Sequence, residues 1–115
     1  MITTAIELGL DATTLTTSTQ VLADAFTATE IWLYGSRARG DHFENSDWNY
    51  LIIADGWDNE EAVFEAMEEV REKLLDLNLI PDVTVVSQEE FETSSQVPNT
   101  LLYQVRLDRK LIWRR

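Results

Sequence analysis

Residues 33–53 read LYGSRARGDHFENSDWNYLII, and this stretch decides the fold. Glu30 to Tyr34 (EIWLY) is short, aromatic and β-branched and stops at Gly35, which predicts a buried strand. GSRARG, from Gly35 to Gly40, has room for one short helical turn between two glycines, and a polar loop, DHFENS, follows it. Asp47 to Ala54 predicts a second strand, with Asp47, Asn49, Leu51 and Ile53 on one face and Trp48, Tyr50, Ile52 and Ala54 on the other. A strand that ends in Gly35-Ser36 and turns into a helix start presents backbone N–H groups and a hydroxyl to an anion, and Gly35 lets phosphate oxygens come close to the chain. Asp47 and Asn49, at alternate strand positions, stand about 7 Å apart on one face, a spacing suited to holding a divalent metal against those phosphates. The pattern implies a triphosphate-plus-magnesium site. GSRARG lacks the Lys-Ser/Thr of a P-loop and the G-x-G-x-x-G spacing of a dinucleotide fingerprint, so it is neither of those loops.

Working outward, Asp58 with Glu61 forms a capping-box pattern ahead of Val63, Met67, Val70, Leu74 and Leu77, which predicts a helix over 58–77. Its Glu-rich side, from Glu60 to Glu72, reads as a solvated face. Pro81 leads into a third strand, Asp82 to Val86, with Asp82 and Thr84 on one side. Ser87 and Glu90 signal another helix start, Pro98 interrupts, Leu101 to Val105 suggests a further helical piece, and Leu111 to Trp113 a short closing strand. Residues 1–17 are rich in Thr and are expected to be irregular, with helix beginning only near Ser18. The sum is an α+β fold with α/β character, a mixed sheet of three to four strands flanked by helices, and one domain over 1–115.

Composition narrows function further. In 115 residues, 21 acidic against nine basic side chains give a net charge of −12, which disfavours any partner held by a phosphate backbone, so no direct nucleic-acid binding is expected. There is no cysteine, hence no disulfide frame, thiolate-held metal or thiol nucleophile, and a cytoplasmic location is the default. The longest near-apolar run, Tyr50 to Ala54, is far short of the roughly 20 residues that span a bilayer, so no membrane association is expected. Arg106, Arg109, Lys110, Arg114 and Arg115 crowd the C-terminus, as a solvated basic tail or as a docking patch for an acidic surface. Arg37 and Arg39 admit both a surface role and a phosphate or partner contact. His42, the only histidine, is expected in an exposed loop, and Trp48 and Tyr50 in the core.

With these residues in place, the chain resembles the polymerase-β-type nucleotidyltransferase superfamily, and within it the minimal (MNT) branch, whose hallmark is G-S-x-A-x-G, a short loop, then S-D-x-D before an apolar run. Asp82 in PDVTVV stands where that family has its third carboxylate, and LDRKLIWRR resembles its closing strand. The resemblance covers about residues 20–115. It implies that Gly35, Ser36 and Arg39 bind the nucleotide, that Asp47, Asn49 and Asp82 form the catalytic, metal-binding set for a two-metal Mg²⁺ site, and that Asp82 helps activate the attacking hydroxyl. It also implies ATP as substrate, and a HEPN-family ribonuclease toxin as partner in a hetero-oligomer, neutralised by transfer of AMP to one of its tyrosines. The departure is Asn49, where the family pattern has Asp. An amide oxygen can ligate Mg²⁺ but brings no charge, and one unit-charge pair at 4 Å is worth about 4 kcal/mol at an effective dielectric near 20. Asn49 therefore keeps an alternative open, a weak or inactive binding module that neutralises the toxin by covering it. A small-molecule nucleotidyltransferase stands third, since such enzymes carry an extra domain.

Overall fold

The computed structural model describes residues 2–115. Its elements in chain order are α1 (Ala5–Leu8), α2 (Ala12–Phe26), β1 (Glu30–Tyr34), α3 (Ser36–Arg39), β2 (Trp48–Ile53), α4 (Glu60–Leu75), β3 (Pro81–Val86), α5 (Gln88–Ser94), α6 (Leu101–Asp108) and β4 (Lys110–Arg114). The four strands form one mixed sheet, as the sequence pattern predicts, in the order β3-β2-β1-β4. β1 runs antiparallel to β2 and β4, and β2 runs parallel to β3 through the α4 crossover.

β2 lies in the middle of the sheet and is apolar on both sides, as a strand covered on two faces must be. On one face Ile31, Leu33, Trp48, Tyr50, Ile52 and Ala54 pack with Leu22 and Phe26 of α2 and Val70 and Leu74 of α4. On the other, Tyr34, Leu51, Ile53 and Val86 pack with Phe91 of α5 and Val105 of α6. The sheet is thus sandwiched between two helical layers. None of the described helices is long and apolar enough to cross a membrane.

The N-terminal segment corrects the sequence reading. Residue 1 lies outside the described residues, but most of 2–17 is helical rather than irregular. Thr4 and Glu7 close a reciprocal capping box on α1, and Gly9 ends it at φ 69°. Asp11 then caps α2 by accepting from the Thr14 amide at 3.3 Å. The Ser18 and Thr19 hydroxyls, which compete with a helix when they bond in other geometries, instead donate back to the Leu15 carbonyl at 3.1 and 2.8 Å. Threonine loses only tenths of a kcal/mol per residue in helix, and burying Leu22 and Phe26 offsets that. Smaller shifts occur at α4, where Asn59 rather than Asp58 is the cap, its Oδ1 accepting from the Glu61 and Ala62 amides at 2.9 and 3.3 Å.

Candidate functional site

β1 delivers Gly35 at φ 79°, ψ −155°, a backbone conformation open essentially to glycine alone. No side chain caps α3: the Ala38 and Arg39 amides donate back to the Gly35 carbonyl at 3.0 Å, which leaves the Ser36 and Arg37 amides beside the Ser36 hydroxyl. Pressed against this turn is Asn49: a β-carbon on residue 35 would stand 2.5 Å from Asn49 Nδ2. The pairing registers place Tyr34 opposite Asn49 and Asn49 opposite Asp82, so three polar side chains form one row across β1, β2 and β3. They share the sheet face on which Tyr34, Leu51, Ile53 and Val86 pack with α5 and α6.

Asp47 enters from the preceding loop, and Arg37 holds that loop in place. Its Nη2 donates to the Glu44 and Ser46 carbonyls at 2.8 and 3.0 Å, its Nε donates to the Ser46 carbonyl, and its guanidinium lies 4.5 Å from the centre of the Trp48 ring. Ser46 Oγ accepts from the Phe43 amide at 2.8 Å. Arg37 is thus a loop-holding residue, a role that the sequence reading of it as a surface charge or a phosphate or partner contact did not include. The Tyr34 hydroxyl meets Thr84 Oγ1 at 3.3 Å, tying β1 to β3 across β2. Burial pushes the Tyr34 phenol pKa up, the Thr84 hydrogen bond opposes this, and the Asp82 carboxylate adds to the rise.

The structure therefore gathers Gly35, Ser36, Asp47, Asn49 and Asp82 at one end of the sheet. Arg39 is turned elsewhere: it pairs with Asp41 at 3.1 Å and with Asp108 at 2.8 Å, and these carboxylates hold its pKa above the ordinary guanidinium value. Tyr34 and Thr84 were not singled out from sequence, although Tyr34 directly precedes the Gly-Ser turn and Thr84 shares the phase of Asp82. Trp48 and Tyr50 are core, as expected, and burial raises the Tyr50 phenol pKa strongly. His42 departs from expectation, being half-buried with Nδ1 lacking any hydrogen-bond partner.

Two carboxylates and an amide suit a hard divalent cation, which takes oxygen donors, and Asp47 and Asp82 are exposed at the site with no ion-pair partner among the described residues. Among the described residues no cluster of three or more His, Cys, Asp or Glu exists that could hold a metal. The donor set fits a divalent ion, with one negative charge fewer than three carboxylates would bring.

A Gly-Ser turn thus lies beside the in-register polar side chains of Asn49 and Asp82 on a mixed sheet. The family profile described as "Polymerase beta, Nucleotidyltransferase" matches residues 18–115, and the chain belongs to that family. Solved structures share the fold. A toxin–antitoxin crystal structure with AMP-PNP superposes with a TM-score of 0.63 at 20% identity, covering 88% of this chain and 73% of that one. A mutant of the toxin–antitoxin MntA–HpeT gives 0.61 at 19% identity with the same coverages. A crystal structure assigned to a nucleotidyltransferase from Sulfolobus solfataricus gives 0.57 at 20%, covering 90% and 82%. No curated protein matches this sequence.

Proposed function

We propose that this chain is an MNT-type nucleotidyltransferase acting as an antitoxin, transferring AMP from ATP to a tyrosine of a HEPN-type ribonuclease toxin in the cytoplasm. The observation that carries the reading is the row of Asn49 and Asp82, in register on β2 and β3, lying beside the Gly35–Ser36 turn with Asp47 delivered next to it. In this reading the Ser36 hydroxyl and the Ser36 and Arg37 amides hold the triphosphate, while Asp47, Asn49 and Asp82 would hold Mg²⁺, whose charge would offset that of the phosphates. The tyrosine oxygen forms a bond to the α-phosphorus as the bond to the β-phosphate bridging oxygen breaks. Pyrophosphate leaves, and the phenolic proton passes to the Asp82 carboxylate. The added adenylyl group brings charge and bulk to the toxin. The fold shared with structures of toxin–antitoxin proteins supports this reading.

Asn49 favours a second reading, a binding module that neutralises the toxin by covering it, because one of three donors has lost its charge. Intact-mass measurement of the toxin after incubation with this protein, ATP and Mg²⁺, with Asn49→Asp in parallel, separates the two. A gain of one adenylyl group with the native chain supports the enzyme. A gain only with Asn49→Asp supports a scaffold disarmed at one ligand, and no gain with either, alongside inhibition of the toxin, supports the binding module.

A further inference from the structure

A second concavity lies behind α3, walled by α1, α3, the start of the 41–47 loop and the first residue of β4, with a volume of about 400 Å³. That is large enough for a small metabolite. In a chain of net charge −12, two basic residues, Arg37 and Lys110, line it, with the sole histidine, His42, beside them. Lys110 makes no ion pair among the described residues. Arg37 spends Nε and Nη2 on the Glu44 and Ser46 carbonyls and leaves Nη1 without a partner there. The one acidic lining residue, Glu7, is occupied by its capping box, its Oε1 accepting from Thr4 N at 3.3 Å and Thr4 Oγ1 at 3.0 Å.

His42 lines the cavity, and its Nδ1 is buried without a hydrogen-bond partner among the described residues. The apolar side of the cavity comes from Ile6 and Leu8 of α1. Thr3 N donating to the Leu111 carbonyl at 2.7 Å pins the segment before α1 beside Lys110. All of α1 precedes the stretch that the family profile matches, so this wall is not a feature of the family site.

We propose that this cavity binds a small anion bearing a phosphoryl or carboxylate group, held by Lys110 and Arg37 Nη1, with Ile6 and Leu8 against the ligand's apolar part and His42 at its wall. Cationic donors on a shared anion make charge-assisted hydrogen bonds, stronger than neutral ones. Because Arg37 also holds the loop that carries Asp47, the bound anion and the nucleotide site share one guanidinium.

The lone histidine makes the test clean, since its imidazole carbon-bound protons give a single reporter in the full-length protein. Inorganic phosphate and succinate are titrated separately, against sodium chloride at matched ionic strength. A saturable shift of the His42 signals with phosphate alone assigns a phosphoryl ligand, and with succinate alone a carboxylate ligand; both together support an anion site tolerant of either. Lys110→Gln weakens binding by about tenfold, as loss of one charge-assisted bond requires, while Ser36→Ala at the nucleotide turn leaves it unchanged. If Lys110→Gln does not fold, Lys110→Met followed by the same titration carries the comparison. A shift that chloride reproduces, full affinity in the folded variants, or loss of the response in Ser36→Ala overturns the proposal.

Discussion

Gly35 is the residue on which the site turns, and two independent constraints act on it. Its φ of 79° disfavours any L side chain, and a β-carbon would meet Asn49 Nδ2 at 2.5 Å. Gly35→Ala therefore destabilises by about 2–4 kcal/mol, combining backbone strain with overpacking. Adding Asn49→Ala recovers only the steric share, so urea unfolding of both variants separates the two effects. Asn49→Asp makes the opposite kind of change. Placed beside Asp82 on the neighbouring strand, the new carboxylate lowers stability by up to about 1 kcal/mol without metal, and Mg²⁺ reverses the loss. Thermal unfolding in EDTA and in Mg²⁺ checks this; equal melting temperatures in the two conditions would count against a metal-binding role for position 49. These residues were legible in the sequence because glycine at a strand end and polar side chains in an apolar strand each have few explanations. The Asp108 partner of Arg39 was not legible, because it comes from 69 positions away and spacing says nothing about such a contact.

At the scale of elements, the 41–47 loop and the N-terminal helices are the parts whose structure depends on tertiary contacts. Arg37→Ala removes three hydrogen bonds to the loop and the stacking on Trp48, costing about 1–3 kcal/mol. Amide exchange in the loop rises in this variant, whereas Arg37→Lys restores charge but not the fork. The strands and α4 were readable from their periodicity. The Thr-rich segment was not, since its local propensity argues against helix and only the capping residues Thr4 and Asp11 argue for it. Arg109 shows the same limit: it sits between the Trp32 and Phe91 rings, 4.0 and 4.3 Å from their centres, where sequence alone leaves it in a basic tail. Burial there lowers its pKa from the ordinary guanidinium value, with Glu30 opposing.

For the molecule as a whole, charge and buried phenols set the response to solution conditions. With a net charge of −12, self-repulsion weakens the fold at low ionic strength, and raising salt to about 0.1 M, where the Debye length is about 10 Å, raises the melting temperature. Calorimetry across a sodium chloride series checks the sign. At high pH, Tyr34 and Tyr50 both hold their protons above the ordinary phenol value when folded. Their contribution is complete below about pH 10 and is lost as pH rises beyond it, because the unfolded chain releases those protons first. Denaturant unfolding shows that loss, and Tyr34→Phe with Tyr50→Phe flattens it. The layered α+β class followed from alternating strand and helix signals in the sequence, whereas the strand order, with β1 between β2 and β4, is set by which faces bury together.

The central claim is that the Gly35–Ser36 turn, Asp47, Asn49 and Asp82 form a nucleotide triphosphate site. Isothermal titration of ATP into the native chain in Mg²⁺, into the same chain in EDTA, and into Asp82→Ala tests it most directly. Saturable binding of a single ATP per chain is expected in Mg²⁺, weakened by about tenfold or more by EDTA and by Asp82→Ala. Absence of binding in Mg²⁺, or binding indifferent to both changes, would contradict it.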